Sequence, residues 1–205
     1  MLNSPISYNV TQEVFTAEEC KEIIEYGIEH GSEVQGKIGG KTAHNNDKLI
    51  LDQKVRDTKL YFFSHKETYD KLMPYIGMIN QDSLWNFDLE QVEPLQLSIY
   101  ENTGHYDWHI DVHPYPYPKN SGPFEGLVRK ISFSIMLNNK EEYEGGDFEI
   151  EDKLPNFNPR SHVVEDLDKC GSMLTFPSYI PHKVHPVTNG IRYSLVGWVA
   201  GKPWR

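Results

Sequence analysis

The strongest constraint on the fold is a change of texture at residue 84, after which short β-like runs alternate with turn residues. The runs are rich in β-branched and aromatic residues and are bounded by Gly, Pro, Asn or Asp, which is typical of strands. Two helical segments precede them. This order predicts an antiparallel β-sandwich or jelly roll, mainly β, with helices packed on one side. The runs are LWNFDL, PLQLSIYE, HYDWHIDV, RKISFSIMLN, GDFEIE, SMLTFPS and IRYSLVGWV.

The first helix is marked by a capping box. Thr16 and Glu19 stand three residues apart ahead of apolar residues at helical spacing, and Gly31 supplies a stop. A helix is therefore predicted over about 17–30. The Gly- and Asn-rich segment 36–48 that follows predicts a loop.

A second capping box, from Ser64 to Glu67, predicts the start of a second helix. Pro74 lies inside this helix and predicts a kink or a break, because proline removes a backbone donor and crowds the preceding turn. One face of the helix is apolar and consists of Leu72, Tyr75, Ile76 and Ile79.

Composition predicts one acidic domain over 1–205, with helical support over about 1–83 and the β core over about 84–200. The formal net charge of −10 argues against a nucleic-acid partner, which requires a basic surface. The sequence shows no basic leader and no apolar run of about 18 residues, so we expect a cytoplasmic protein with no membrane partner. Cys20 and Cys170 are too few for a disulfide framework and are expected to be buried residues or spare thiols.

The stretch HYDWHIDVH places a histidine or an aspartate at every odd position. Because alternate side chains of a strand share a face, these residues are expected to line one face together. Burying such a row is unfavourable unless water, mutual pairing or a cation compensates. The pattern HxD occurs twice, and either pair supplies two ligands of the two-histidine, one-carboxylate triad that binds iron. A solvated strand face and a zinc site on three histidines are the alternatives. The five residues are His105, Asp107, His109, Asp111 and His113.

The third metal ligand is expected near the C-terminus, where His182 and His185 are candidates. A two-residue turn at 189–190 would align His185 with the strand face that carries Arg192. A three-residue turn over 188–190 would align His182 instead, so strand register leaves both open. That face of the last strand carries Arg192, Ser194, Val196 and Trp198.

Together these residues resemble the iron(II)- and 2-oxoglutarate-dependent dioxygenases, and within them the bacterial or phage branch of the prolyl 4-hydroxylase group. The resemblance extends from about Leu95 to Trp198. Tyr100 precedes HID by nine residues, and this family spacing selects the second HxD pair, His109 and Asp111. The distal family pattern HxVxPVxxGxR selects His182. The ordered elements are QLSIY, HID, RKISFSIMLN, EGGDFEI, GSMLTFPS and PHKVHPVTNGIRYSLVGW.

The resemblance implies a double-stranded β-helix that binds iron(II) through His109, Asp111 and His182 and uses 2-oxoglutarate and O2, with ascorbate as an accessory. Arg192 is then expected to bind the distal carboxylate of 2-oxoglutarate, because a planar guanidinium grips a carboxylate with two parallel hydrogen bonds. The expected cosubstrate contacts are Arg192, Tyr100 and Ser194.

Three residues are candidate contacts to the substrate. Arg56 occupies roughly the place of a substrate-facing arginine in prolyl hydroxylases, with a surface ion pair to Asp57 as the alternative. Trp198 aligns with a tryptophan near the family's substrate pocket, although a core aromatic fits equally well. Asp107 is expected to orient a ligand or to contact substrate. The segment 112–130 is a candidate lid or substrate clamp.

The expected reaction hydroxylates an unactivated carbon, first of all in a prolyl residue of a peptide or protein, with succinate and CO2 as co-products. The acidic composition favours a basic or neutral peptide over nucleic acid. The alternatives are a hydroxylase of a free amino acid or small metabolite, a non-catalytic metal-binding jelly-roll module, and a zinc hydrolase.

Overall fold

The computed structural model describes residues 6–35, 55–152 and 160–204; the predicted loop at 36–48 lies outside these ranges. The described residues form two α-helices and fifteen β-strands. The helices are α1 (Ala17–His30) and α2 (Lys66–Asp82). The strands are β1 (Asn9–Thr11), β2 (Ser32–Gln35), β3 (Arg56–Asp57), β4 (Lys59–Phe63), β5 (Gln91–Val92), β6 (Leu95–Tyr100), β7 (His105–His109), β8 (Val128–Met136), β9 (Tyr143–Gly145), β10 (Phe148–Asp152), β11 (Arg160–Val163), β12 (Met173–Pro177), β13 (His182–Val184), β14 (Val187–Gly190) and β15 (Arg192–Gly201).

Most strands lie in two antiparallel sheets. The main sheet has the order β1-β12-β8-β15-β6-β4-β2, with β5 paired to β15. The second sheet has the order β11-β10-β13-β7-β3, and β9 pairs with β14. One apolar core fills the space between the sheets, and another lies between the main sheet and the two helices. This arrangement is the predicted jelly roll with helical support.

Helix α1 has the predicted bounds and the predicted cap. The Glu19 N–H donates to the Thr16 hydroxyl, and the Thr16 N–H donates to the Glu19 carboxylate. Gly31 closes the helix by donating its N–H to the Gly27 carbonyl. The local signal was sufficient here because both ends are fixed by contacts within a few residues.

Helix α2 starts differently from the prediction. Its N-cap is His65, which forms no side-chain cap, and the predicted box from Ser64 to Glu67 is wrong because Glu67 pairs with the His65 ring instead. The helix also runs through Pro74 to Asp82 without a break. Burial of its apolar face against the main sheet compensates for the backbone donor that proline lacks. The buried face includes Leu72, Ile76 and Ile79.

The predicted strand at 84–89 is wrong. The Asn80 side chain donates to the Phe87 carbonyl and accepts from the Phe87 N–H, which binds this segment to the end of α2. The strand that does form here is the two-residue β5. Strands β2 and β4 also extend the main sheet from the part of the sequence in which helices alone were predicted. The pairing of β4 with β6 and of β2 with β4 decided their conformation, rather than local periodicity.

The central strands β6, β8 and β15 present two different faces. The face toward the helices carries Leu95, Leu97, Ile99, Ile131, Phe133, Ile135, Leu195 and Val199. The register places Arg192, Ser194, Val196 and Trp198 of β15 on the interior face, opposite Tyr100, Ser98, Gln96, Ser134 and Ser132. At Gly197 an added Cβ would lie 2.2 Å from Cζ of Phe133, so the Phe133 ring requires a glycine beneath it.

The two cysteines are free thiols, as predicted. Cys20 lies on the buried face of α1, and Cys170 is half-buried beside it. Within the described ranges, no helix has both the length and the apolar surface that crossing a bilayer demands.

Candidate iron and 2-oxoglutarate site

Strand β7 departs from the regular alternation that the sequence predicts. It pairs with β13 so that His109 lies opposite His182 but Tyr106 lies opposite Val184, with a register shift between them. Two residues of β7 therefore face one residue of β13, which is a β-bulge. Because of the bulge, the rings of Tyr106 and His109 stack at 3.4 Å between centroids, whereas Asp107 and Trp108 are exposed. The predicted single row of five polar side chains on one face is therefore wrong.

His109, Asp111 and His182 converge on one point. One ligand atom from each lies within 4.8 Å of the others. The Nε2 atoms of the two histidines lie 3.7 and 3.5 Å from the two carboxylate oxygens of Asp111. Two imidazole nitrogens and one carboxylate in a tight triangle are the donor set that suits iron(II) with coordination positions left open.

Backbone contacts orient both histidine rings. The Nδ1–H of His109 donates to the Asp107 carbonyl at 2.8 Å, and that of His182 donates to the Ile180 carbonyl at 2.9 Å. Each bond fixes the tautomer that leaves Nε2 free to bind a metal. The ring of Phe148 stacks on His182 at 5.4 Å, which further restricts its rotation.

Burial and mutual contact fix the charge states of the cluster. Burial and the neighbouring His182 lower the pKa of His109 to about 3. Burial alone raises the pKa of Asp111, but His182, His109 and Arg129 together hold that pKa well below its usual range. At neutral pH His109 is therefore neutral and Asp111 is ionised, which are the states in which each side chain binds a cation.

Arg192 is a buried guanidinium that lacks an anion. It is 1% exposed. One terminal nitrogen donates to the Ser194 hydroxyl at 3.2 Å and the other contacts the Met136 sulfur at 3.4 Å, while Nε has no partner. In the part of the chain that the structure describes, no carboxylate forms an ion pair with it. Such a cation is strongly unfavourable unless a ligand supplies the missing charge.

The space around Arg192 can accept a small dicarboxylate. Arg192, Met136 and Phe148 line a cavity of about 350 Å³, and Phe148 connects it to His182. Tyr100 lies opposite Arg192 in the register, with the guanidinium carbon 5.2 Å from the centre of its ring. At Gly146, which has φ of +66°, an added Cβ would lie 2.9 Å from Cδ of Arg192. Glycine at this position therefore leaves room for the arginine.

The remaining candidate residues surround the cluster at different depths. The guanidinium of Arg56 lies 4.3 Å from the centre of the Tyr106 ring and is buried, so the predicted alternative of a surface ion pair is wrong. Trp198 is buried beside Asp111. The Asp107 carboxylate accepts from the Trp108 N–H, while its carbonyl orients His109.

The other histidines have different partners. His105 contacts the Thr103 carbonyl, His113 packs edge-on against Tyr117, and His185 bonds to Glu149 at 2.7 Å. None of the three belongs to the converging group. The alternative of a zinc site on His105, His109 and His113 is therefore not assembled.

Sequence reasoning missed the buried pair of Glu93 and Arg129, which contacts Asp111. Arg129 donates two hydrogen bonds to Glu93, at 2.7 and 2.6 Å, and a third at 3.3 Å to the Asp111 carbonyl. The two residues lie 36 positions apart, and no local pattern links them. The one local signal in the sequence is the charged residue Arg129 near the start of the strongly apolar strand β8.

Comparisons with known proteins show the family to which the chain belongs. The profile of the 2OG-Fe(II) oxygenase superfamily matches residues 95–200. A PKHD-type hydroxylase of Pseudomonas fluorescens is 31% identical over 137 residues, which make up 60% of this chain and 53% of that protein. The chain spans about half the length of the curated relatives that it matches.

Solved structures share the fold. The viral collagen prolyl hydroxylase vCPH of Paramecium bursaria Chlorella virus-1, solved as a 2OG complex, has a TM-score of 0.62 at 17% identity, covering 95% of this chain and 96% of that one. The epimerase SnoN, in complex with Fe3+, alpha ketoglutarate and nogalamycin RO, has a TM-score of 0.64 at 13% identity, covering 97% and 80%. At these identities the likeness concerns the fold alone, and it confirms the predicted jelly roll.

Proposed function

Because the chain belongs to the 2OG-Fe(II) oxygenase superfamily, we propose that it hydroxylates a prolyl residue in a peptide or protein, with succinate and CO2 as co-products. Membership of the superfamily confirms the predicted enzyme class and the predicted cofactors iron(II), 2-oxoglutarate and O2. The proposal rests mainly on the combination of the three-ligand cluster with Arg192, a buried cation that lines a cavity whose wall residue Phe148 stacks on the ligand His182.

In this proposal His109, Asp111 and His182 hold iron(II). Bound iron and 2-oxoglutarate together activate O2 and supply the oxidant that replaces a substrate C–H bond by C–OH. The protein fixes the three donors before binding, since both Nδ1 atoms are engaged and Asp111 is ionised. Burial of the cluster keeps bulk water away from the reacting atoms.

Arg192 binds the distal carboxylate of 2-oxoglutarate, with Ser194 and Tyr100 beside it. Ser194 holds one terminal nitrogen of the guanidinium in place. Tyr100 is 2% exposed, and the guanidinium carbon of Arg192 lies 5.2 Å from the centre of its ring. The carboxylate supplies the anion that the buried guanidinium lacks, so binding removes an unfavourable charge as well as forming hydrogen bonds.

A peptide or protein is the favoured substrate class. The structure resembles a collagen prolyl hydroxylase, and the net charge of −10 suits a basic or neutral polypeptide. Arg56, Asp107 and Trp198 are the proposed residues on the substrate side, and the segment 112–130 is the proposed clamp.

For the clamp, Tyr115→Ala should raise the KM for peptide and leave the KM for 2-oxoglutarate unchanged. An unchanged peptide KM would remove Tyr115 from the clamp.

A small-molecule substrate is the second candidate. The likeness to SnoN, whose complex contains nogalamycin RO, shows that this fold also accommodates small molecules. A non-catalytic metal-binding module is the third, and it is disfavoured because the three donors and Arg192 are all in place.

Metal binding tests the site itself. Iron(II) and 2-oxoglutarate added anaerobically to the apoprotein should produce a weak visible charge-transfer band. His109→Ala, Asp111→Ala and His182→Ala should abolish the band. The matched controls His105→Ala and His185→Ala should retain it. Loss of the band in a control variant with an unchanged melting temperature would contradict the assigned ligand set.

Turnover tests the substrate class. Succinate release should be measured across proline-containing peptides, free amino acids and small metabolites, with a search of each product for the mass of one added oxygen atom. We expect a peptide to stimulate succinate release and its product to carry one added oxygen atom on proline. Stimulation confined to a free amino acid or a metabolite would replace the prolyl proposal with the second candidate.

A further inference from the structure

The Glu93–Arg129 pair forms a buried contact behind the proposed iron ligand Asp111. Glu93 accepts from Nε and from one terminal nitrogen of Arg129, which is the bidentate geometry. Both side chains are largely buried, at 11% and 15% exposure. Since replacing a buried ion pair with apolar residues is often neutral or stabilising, stability alone is a weak reason for this pair.

Arg129 supports Asp111 in two ways. Its remaining terminal nitrogen donates to the Asp111 carbonyl at 3.3 Å. Its guanidinium also stacks on the ring of Trp198 at 3.8 Å. The indole N–H of Trp198 lies beside the Asp111 carboxylate and helps to hold its pKa down, although it does not reach hydrogen-bond geometry. The Asp111 backbone is therefore held by Arg129 directly, and the Asp111 carboxylate lies beside Trp198, the ring on which Arg129 stacks.

The segment 112–127 is attached to the same pair through Tyr117. The Tyr117 hydroxyl donates to the Glu93 carboxylate at 2.5 Å. Burial raises the pKa of Tyr117 to about 12, so the phenol keeps the proton that it donates. The backbone of Tyr117 pairs with Leu127 and Gly126, which fixes the position of its side chain relative to the segment.

We propose that Arg129 is a positioning residue for Asp111, and that Glu93 and Tyr117 hold Arg129 in place, so that the conformation of segment 112–127 controls the metal affinity of the site. The proposal rests on the proposed function in one respect, namely that Asp111 is a metal ligand. Residues that orient a metal ligand typically contribute about 10- to 100-fold to metal affinity.

The direct test is metal affinity of the apoprotein, measured by anaerobic titration with iron(II) and with cobalt(II), whose visible spectrum reports ligand geometry. Arg129→Lys keeps the charge but loses the planar fork. Arg129→Lys and Glu93→Gln should each weaken binding about 10- to 100-fold and alter the cobalt spectrum. Tyr117→Phe should produce a smaller change in the same direction.

Matched controls separate positioning from a general effect on folding. Tyr75→Phe removes the hydroxyl of a half-buried tyrosine on α2, outside the segment, and Glu90→Gln removes one partner of the exposed Lys202 pair. Both controls should leave affinity and spectrum unchanged. If Arg129→Lys unfolds, the double variant Glu93→Gln with Arg129→Gln removes both buried charges and is measured instead.

The outcomes distinguish the two proposals. If wild type binds iron(II) and Asp111→Ala does not, but the Arg129 and Glu93 variants match wild type in affinity and cobalt spectrum, the positioning proposal is wrong and the proposed site stands. If Asp111→Ala binds metal as tightly as wild type, the proposed iron site itself fails. Weakened binding in Arg129→Lys with an unchanged Tyr117→Phe would confine the role to Arg129 and overturn the coupling to segment 112–127.

Discussion

The two faces of the main sheet are built from alternate residues of the same strands and yet differ in kind. On β8, Ile131, Phe133 and Ile135 pack against the helices, whereas Ser132 and Ser134 face the interior. Apolar side chains fill the space between the helix-facing side and the helices. The interior side contains serines, a glutamine and Arg192. A single strand thus contributes to the core through every second residue and to the site through the others.

The interior face shows how the protein tolerates a buried polar surface. The Ser132 hydroxyl bonds to that of Ser178 at 2.9 Å, and the Gln96 amide bonds to the Ser98 hydroxyl at 2.8 Å. Hydrogen-bonded groups of this kind add little net stability, but they avoid the penalty of burying a polar atom alone. We therefore expect stability to depend on the helix-facing side and ligand binding to depend on the interior side.

The largest loss of stability is expected from a substitution on the helix-facing side. Phe133→Ala removes a buried ring from the core and leaves Gly197 uncovered, which should lower the free energy of unfolding by about 3 to 5 kcal/mol. Denaturant titration measures this change. The metal affinity of the folded fraction should match wild type. A loss below about 1 kcal/mol would show that the core closes over the vacated space.

The interior side should make stability depend on pH in the metal-free protein. The pKa of His109 is about 3 in the folded state, against an ordinary value of 6.5, so below pH 6.5 the unfolded chain binds a proton that the folded one does not. The contribution of His109 to the free energy of unfolding should therefore fall by about 1 kcal/mol per pH unit from pH 6.5 down to about pH 3. The lowered pKa of Asp111 should add a further loss at the acidic end of this range. Denaturant titrations at pH 7.5, 5.5 and 4.5 measure it.

The control for this pH dependence is His109→Gln, which should reduce the slope. An equal slope in wild type and variant would show that His109 does not carry the effect, and other titrating groups would have to be considered.

Arg192 should affect binding far more than stability. Arg192→Met removes the buried charge and should raise the KM for 2-oxoglutarate about 10- to 100-fold, which corresponds to one charge-assisted hydrogen bond. The free energy of unfolding should stay constant or rise, because the charge has no anionic partner in the ligand-free protein. Arg192→Lys should give an intermediate KM. A large loss of stability with an unchanged KM would place Arg192 in the packing rather than in the site.

The smallest effect is expected from the serine pair of the interior side. Ser132→Ala or Ser178→Ala should each lower the free energy of unfolding by about 1 kcal/mol, because each leaves one buried hydroxyl unpaired. The double variant should lose less than the sum. A double-mutant cycle measures the difference, and strict additivity would show that the two hydroxyls do not interact.

Much of the architecture was accessible from the sequence because the signals were local. The bounds of α1 follow from its two caps, and six of the seven β-like runs contain a strand at the predicted place. Local signals did not decide which of five histidines and two aspartates are the metal ligands. The choice came from ordered motifs, and the structure brings the three selected residues, His109, Asp111 and His182, to within 4.8 Å. Their role as iron ligands stays a prediction until metal binding is measured.

The rest could not be predicted, because it depends on contacts between distant parts of the chain. The segment 84–89 has strand-like residues but is held by Asn80 of α2. The Glu93–Arg129 pair joins β8 to the residue that follows β5, and the sheet order, in which β5 and β8 both pair with β15, brings the two together. Strict alternation also fails within β7, since it assumes regular pairing and a bulge interrupts the pairing there.

The bulge in β7 constrains how many residues can separate Tyr106 from His109. One extra residue shifts the phase of the strand, so that Tyr106 and His109 are on the same side. Inserting one more residue beside the bulge would shift the phase again and turn His109 away from Tyr106. Lineages of this protein should therefore accept substitutions at position 108 but reject the insertion of one residue between Tyr106 and His109.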